Sequence, residues 1–172
     1  GLNRRETAIV LLQKAHGLKQ LDADWRARLA WYLSAVDRHD EAIVLMQALV
    51  NEFPDRLDFR PRLMELYFQT KQTTRLLTEL ATADGLLHVR GWNEAAMRTL
   101  AEACLTCELF EQSVGYWKEA IAAHEKTQPN RGIGNGTLSR YYSQQALAYA
   151  GLKEFPKAVD AAVSAIVSWG PN

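Results

Sequence analysis

Cys104 and Cys107 stand in a C-x-x-C spacing, the one pair of side chains here whose type and separation match metal ligation or dithiol chemistry. A four-ligand zinc site needs a second such pair or suitably spaced histidines. No second C-x-x-C exists, and His16, His39, His88 and His124 are scattered. Both cysteines also fall in a helix-like apolar pattern, where a free thiol serves as a small core residue. A second candidate is the glycine-bearing segment 128–137, with Gly132, Gly134 and Gly136 at alternate positions. A phosphate cradle requires a strand before it and a helix start after it, with a lysine in the Walker form. No strand pattern precedes this segment, and Lys126 lies on the wrong side of the glycines. It reads as a linker. Acidic residues are spread over predicted helix surfaces, and no serine or cysteine nucleophile has an identifiable base. The expectation is a chain that is not an enzyme and holds no cofactor and no metal.

The elements around these residues are helical. From Ser139 to Trp169 the chain reads as two amphipathic helices folded on each other: Tyr142, Gln145, Ala146, Tyr149 and Leu152 recur at steps of three and four. The chain turns after Gly151. Pro156 suits the first turn of the second helix, whose stripe is Ala158, Val159, Ala162, Val163, Ala165 and Ile166. Ala158 marks a register that recurs at Ser113, Leu76, Ala42 and Ala8, giving intervals of 45, 37, 34 and 34 residues. A period near 34 is that of stacked helix pairs, because a single pair cannot bury its own apolar face.

Residues in that register resemble the tetratricopeptide repeat family, in which the first helix carries an aromatic, a leucine and a small residue, and the second carries alanines flanking a bulky residue. Trp25, Leu29, Ala30, Leu33, Ala42, Met46 and Pro54 approximate one copy, and Leu63, Tyr67, Leu80 and Ala83 another. Met97, Leu100, Ala101, Cys104, Ser113, Trp117 and Ala120 form a third, and Tyr142, Ala146, Tyr149, Ala158, Ala162, Ala165 and Pro171 a fourth. The copies are degenerate: Met64 takes a small-residue slot and Leu76 replaces an alanine. The resemblance implies an all-α, right-handed superhelical solenoid of antiparallel helix pairs, with about four repeats after an orphan N-terminal helix. The expected segments are 1–21, a half repeat, then 22–55, 56–90, 91–128 and 138–170, all within a single domain. Gly1 in place of a methionine and the orphan first helix suggest a stretch of a longer array. Trp25, Trp92, Trp117 and Tyr149 are expected in the core.

Local signals predict the boundaries. Asp40 is expected to cap the helix Glu41 to Phe53, and Asp58 the helix containing Pro61. Asp84-Gly85 is expected to end a helix, leaving 86–92 as a connector. Apolar surface is expected at both ends, through Ile9 and Leu12 and through Val163, Ile166 and Trp169, offering a route to self-association.

Basic and acidic residues number 20 each, and such a balance argues against binding a polyanion such as nucleic acid. No apolar run approaches the roughly 20 residues of a membrane span. The compartment is not encoded; the cytoplasm is the default expectation. What remains is binding a protein or peptide. The resemblance implies a concave groove lined by first-helix residues: Ala27, Trp31 and Ser34, then Arg62, Glu65, Phe68 and Gln69, then Arg98, Glu102 and Leu105, then Arg140, Ser143, Gln144 and Leu147. Trp31 and Phe68 stand out as large aromatics on a face that should be polar. With Arg62, Arg98 and Arg140 alongside, the expected ligand is an extended peptide with apolar anchors and a carboxylate. A regulatory or substrate-recruiting arm of a larger enzyme would look the same within these residues. Single-strand RNA binding by a pentatricopeptide-like array is disfavoured by the neutral charge.

Overall fold

The computed structural model of the chain describes residues 2–17, 21–91, 93–128 and 135–170, and among them there are helices and turns but no strand. Among the described residues nine α-helices appear in order: α1 Leu2–Gly17, α2 Ala23–Ser34, α3 His39–Glu52, α4 Arg60–Gln69, α5 Thr73–Arg90, α6 Glu94–Thr106, α7 Phe110–Thr127, α8 Gly136–Gly151 and α9 Phe155–Trp169. A 3-10 turn, Leu57–Phe59, precedes α4. Gly1, Trp92, Pro171 and most of the expected linker lie outside the described residues. Packing divides the chain into two units, Gly1–Ala83 and Asp84–Asn172.

One turn is built four times. Asp37, Lys71, Glu108 and Lys153 each hold a positive φ between 57° and 61°, and each stands five residues before a register marker. The N–H one residue later reaches back five residues to a carbonyl: Arg38 to Leu33 at 2.9 Å, Gln72 to Tyr67 at 2.8 Å, Leu109 to Cys104 at 2.8 Å and Glu154 to Tyr149 at 3.0 Å. These are Schellman closures, which satisfy the orphan carbonyls of the first helix. The position usually held by glycine carries Asp, Lys, Glu and Lys instead. The second helices then start without a side-chain cap: Arg38, Leu109 and Glu154 make none. Three first helices have one, from Asp22, Asn93 and Asn135.

Several expected helix boundaries are corrected. Asp40 is not a cap, because α3 begins at His39 and Arg38 occupies the capping position. Asp58 lies inside the 3-10 turn, where both its oxygens bind Arg56 at 2.9 and 2.7 Å; Pro61 does sit in the first turn of α4. Asp84-Gly85 does not end a helix either, for α5 runs on to Arg90 and stops at Gly91, whose φ is +88°. Leu87 explains the extension: it is fully buried, a gain of about 2 kcal/mol that exceeds the roughly 1 kcal/mol cost of a helical glycine.

In the first unit, Leu29, Ala30 and Leu33 of α2 face the core with Ala42, Met46 and Leu49 of α3 and Leu63, Met64 and Tyr67 of α4. Ile9 of α1 is buried here, contrary to the expectation that it lies bare; Val10 and Leu11 are exposed apolar residues of that helix, and Leu12 is half-buried. Trp25 is likewise not core but 47% exposed. Arg60 is buried beside Glu79 and forms an ion pair with it.

In the second unit the core shows at two places among the described residues. Met97, Ala101, Trp117, Ala120 and Ile121 pack under Leu138 and Tyr141 of α8. Val114 packs with Ala148, Tyr149 and Ala161. Cys104 and Cys107 are buried and not joined in a disulfide, as the core reading expects. Burial, with Cys107 and Asp84 nearby, pushes the Cys104 thiol up to about 12, so it has no thiolate to offer.

Candidate functional site

In the first unit the outward face of α2 carries Trp25, Arg28, Trp31 and Tyr32. The Arg28 guanidinium lies 5.0 Å over the Trp25 ring, and Trp31 meets Tyr32 edge to face at 4.9 Å. No carboxylate partner of Arg28 is found among the described residues. Trp31 is 41% exposed and opens onto a cavity of about 550 Å³. Met46 and Phe59 supply apolar lining, and Ala27, Arg28, Tyr32 and Arg62 supply the rest together with Asp24 and Asp58.

The acidic side of this cavity is organised by Arg56. Its guanidinium takes Asp24 at 2.7 Å and Asp58 at 2.9 and 2.7 Å, while stacking 4.3 Å from the Phe59 ring. Those hydrogen bonds, Asp58's first, hold Arg56 charged well above its ordinary range. The same contact holds Asp58 below the usual carboxylate range. Arg62 donates to Glu65 at 2.8 Å. Of the groove residues expected here, Ala27, Trp31 and Arg62 come together around the cavity, and Glu65 joins them through Arg62. Phe68 is half-buried and does not line it. Ser34 donates to Gln69 at 3.2 Å, linking α2 to α4.

Arg28, Tyr32 and Phe59 were not among the expected groove residues. The signal for Arg28 was present, since Trp25, Arg28 and Trp31 share one helical face at steps of three. Placing Trp25 in the core concealed it.

In the second unit Glu102 accepts from Arg98 at 3.2 Å and from Arg140 at 3.0 Å, joining α6 to α8. Ser143 turns its hydroxyl to the Ser139 carbonyl at 2.8 Å, and Gln144 is half-buried. Ser143 and Leu147 line a separate cavity of about 520 Å³ with Ala162, Ile166 and Trp169 of α9. Every arginine expected to await a ligand carboxylate, Arg62, Arg98 and Arg140, thus already faces a glutamate. Among the described residues no group of three His, Cys, Asp or Glu could hold a metal ion. No helix among them is long and apolar enough to cross a membrane.

Comparison with known proteins agrees with this architecture. No family model matches the sequence, and no curated protein matches it. Among solved structures, a Podosopora anserina putative kinesin light chain with nearly identical TPR-like repeats superposes with a TM-score of 0.71 at 17% identity, covering 96% of this chain and 87% of that one. A MamA protein superposes at 0.61 with 16% identity over 96% of this chain and 83% of the other. MamA from Desulfovibrio magneticus RS-1 gives 0.58 at 12% identity, over 94% and 84%. At these identities the likeness is one of fold: the helix pairs are arranged as in tetratricopeptide-like repeats.

Proposed function

We propose that this tetratricopeptide-like chain is a non-catalytic interaction scaffold, and that the cavity beside Trp31 receives an apolar anchor side chain from an extended segment of a partner protein. The observation that carries the reading is the Trp31 ring itself, a large aromatic left 41% exposed at the mouth of a cavity of about 550 Å³. Tryptophan is enriched among binding hot spots, where its ring is desolvated in a well-packed pocket. Arg28 is the cation best suited to a ligand carboxylate, because Arg62, Arg98 and Arg140 would first have to leave their glutamates.

An array of extended peptides pairing an aromatic or leucine anchor with a carboxylate tests this. Against the tightest binder of the array, Trp31→Ala should cost about 1 to 3 kcal/mol with helicity unchanged. Arg28→Ala should weaken carboxylate-bearing peptides selectively. Loss of cooperative unfolding in Trp31→Ala, with binding retained by the folded fraction, would overturn the assignment.

A further inference from the structure

His124 is buried near the end of α7, and both its ring nitrogens are engaged. Nδ1 lies 2.8 Å from Glu94 Oε1, and Nε2 lies 3.0 Å from Asn135 Nδ2. Asn135 caps α8: its Oδ1 accepts from the Thr137 N–H at 3.2 Å and the Leu138 N–H at 3.1 Å. Its own N–H donates to the Ser168 carbonyl at 2.8 Å, tying the start of α8 to the end of α9.

Two backbone donors on one side-chain atom settle which end of the Asn135 amide is oxygen. The NH2 end must then face His124 Nε2, which therefore accepts and is unprotonated. The ring proton sits on Nδ1 and is donated to Glu94. A second proton, on Nε2, would set two donors against each other at 3.0 Å. Rotating the Asn135 amide would relieve that contact only by turning its NH2 toward two backbone N–H groups. The α8 cap and the imidazolium thus exclude each other, and by linkage each weakens the other.

Other groups facing the ring do not remove the conflict. Glu94 of α6 favours the imidazolium but contacts only Nδ1. From α8, Tyr141 sets its ring edge-on to His124 and donates its hydroxyl to the same Glu94 oxygen at 2.7 Å; burial and that acceptor push its ionisation up to about 12, so it stays neutral. Arg98 of α6 and Arg140 of α8 act on Tyr141 as positive charges. The contribution from α9 is the neutral Ser168 carbonyl. On α7 the adjacent Glu125 accepts from Tyr142 at 3.1 Å.

We propose that His124 and Asn135 form a proton-operated latch on α8: neutral His124 holds the Asn135 amide in its capping pose, and proton uptake at Nε2 frees the start of α8 from α7. Because Arg140, Ser143 and Gln144 ride on α8, the latch makes the exposed face of that helix responsive to the protonation of His124.

Amide hydrogen exchange followed by NMR, alongside the His124 ring resonances, tests the latch in the whole chain. Protection of the Thr137 and Leu138 amides, corrected for intrinsic exchange, should fall about five- to tenfold in step with His124 protonation, the size of one lost cap. His124→Gln supplies a donor and an acceptor but no titrating proton, so its protection should stay level. Asn135→Asp should also stay level, because a carboxylate can cap α8 and accept from Nε2–H together. Unchanged Leu138 protection across the His124 titration in the wild-type chain would overturn the proposal, as would an equal fall in a folded His124→Gln. If that variant does not fold, the wild-type titration and Asn135→Asp decide alone.

Discussion

Gly151 lies directly under the ring of Phe110, so that a methyl group added there would come within 2.5 Å of the ring carbons. The turn that follows does not need this glycine, since its left-handed residue is Lys153. What needs it is the approach of the α8 end to the α7 start. Gly151→Ala should therefore destabilise by about 1 to 2 kcal/mol, overpacking outweighing the gain in helix propensity. Gly115, exposed within α7 with nothing in reach of an added Cβ, is the control. Gly115→Ala should stabilise by about 0.5 to 1 kcal/mol. Denaturant midpoints of the two variants should move in opposite directions.

The four left-handed turn residues are strained side chains where glycine would be relaxed. Lys71→Gly and Lys153→Gly should each raise stability by about 0.5 to 1 kcal/mol, the relief of a positive φ less the greater freedom of glycine in the unfolded chain. A fall in either thermal midpoint would mean that the lysine makes a compensating contact.

Ile121 and Ile166 hold the same register 45 residues apart, yet α8 covers Ile121 while Ile166 is 73% exposed. Ile121→Glu buries an unpaired charge and should cost about 3 kcal/mol or more. The matching Ile166→Glu should change stability by no more than about 0.5 kcal/mol. If the exposed stripe on α9 supports self-association, light scattering at high concentration should show less of it in Ile166→Glu.

The Arg56 hydrogen bond lowers the proton affinity of Asp58 in the folded chain relative to the unfolded one. A carboxylate shifted down in this way contributes stability at any pH above its unfolded value, and the contribution is lost as pH falls through the folded value. Asp58→Asn should thus be less stable than the parent at pH 7, and the two should converge in strong acid. Parallel acid titrations followed by dichroism would show a gap that stays constant if the pairing is immaterial.

The repeat register was legible because helix pairs need a small residue at one fixed contact, and Ala42, Ser113 and Ala158 declare it. Leu76 fits the same series only by its interval. The end of α5 was not legible. Asp84-Gly85 has the form of a stop, but the outcome depended on Leu87 finding a core, and that is a tertiary fact. Asp84 instead accepts the Tyr116 hydroxyl at 2.7 Å, a contact across 32 residues that no local rule anticipates. Asp40 and Asp58 failed as caps for separate reasons: the Schellman closure leaves α3 no capping residue to choose, and Arg56 claimed Asp58. At the groove, the exposed Trp31 was legible as an aromatic on a polar face. Trp25 was not, because its position in the repeat counted for more than its neighbours Arg28 and Trp31.

None of the hydrogen bonds in the four recurring turns spans more than five residues. Each hairpin can close before any other exists, at a loop-closure cost that does not grow with the length of the chain. Folding can accordingly start at four separate places, and no single turn is the obligatory first step. A mutation that slows one hairpin leaves the other three free to nucleate, so damage to a turn should register as faster unfolding far more than as slower folding.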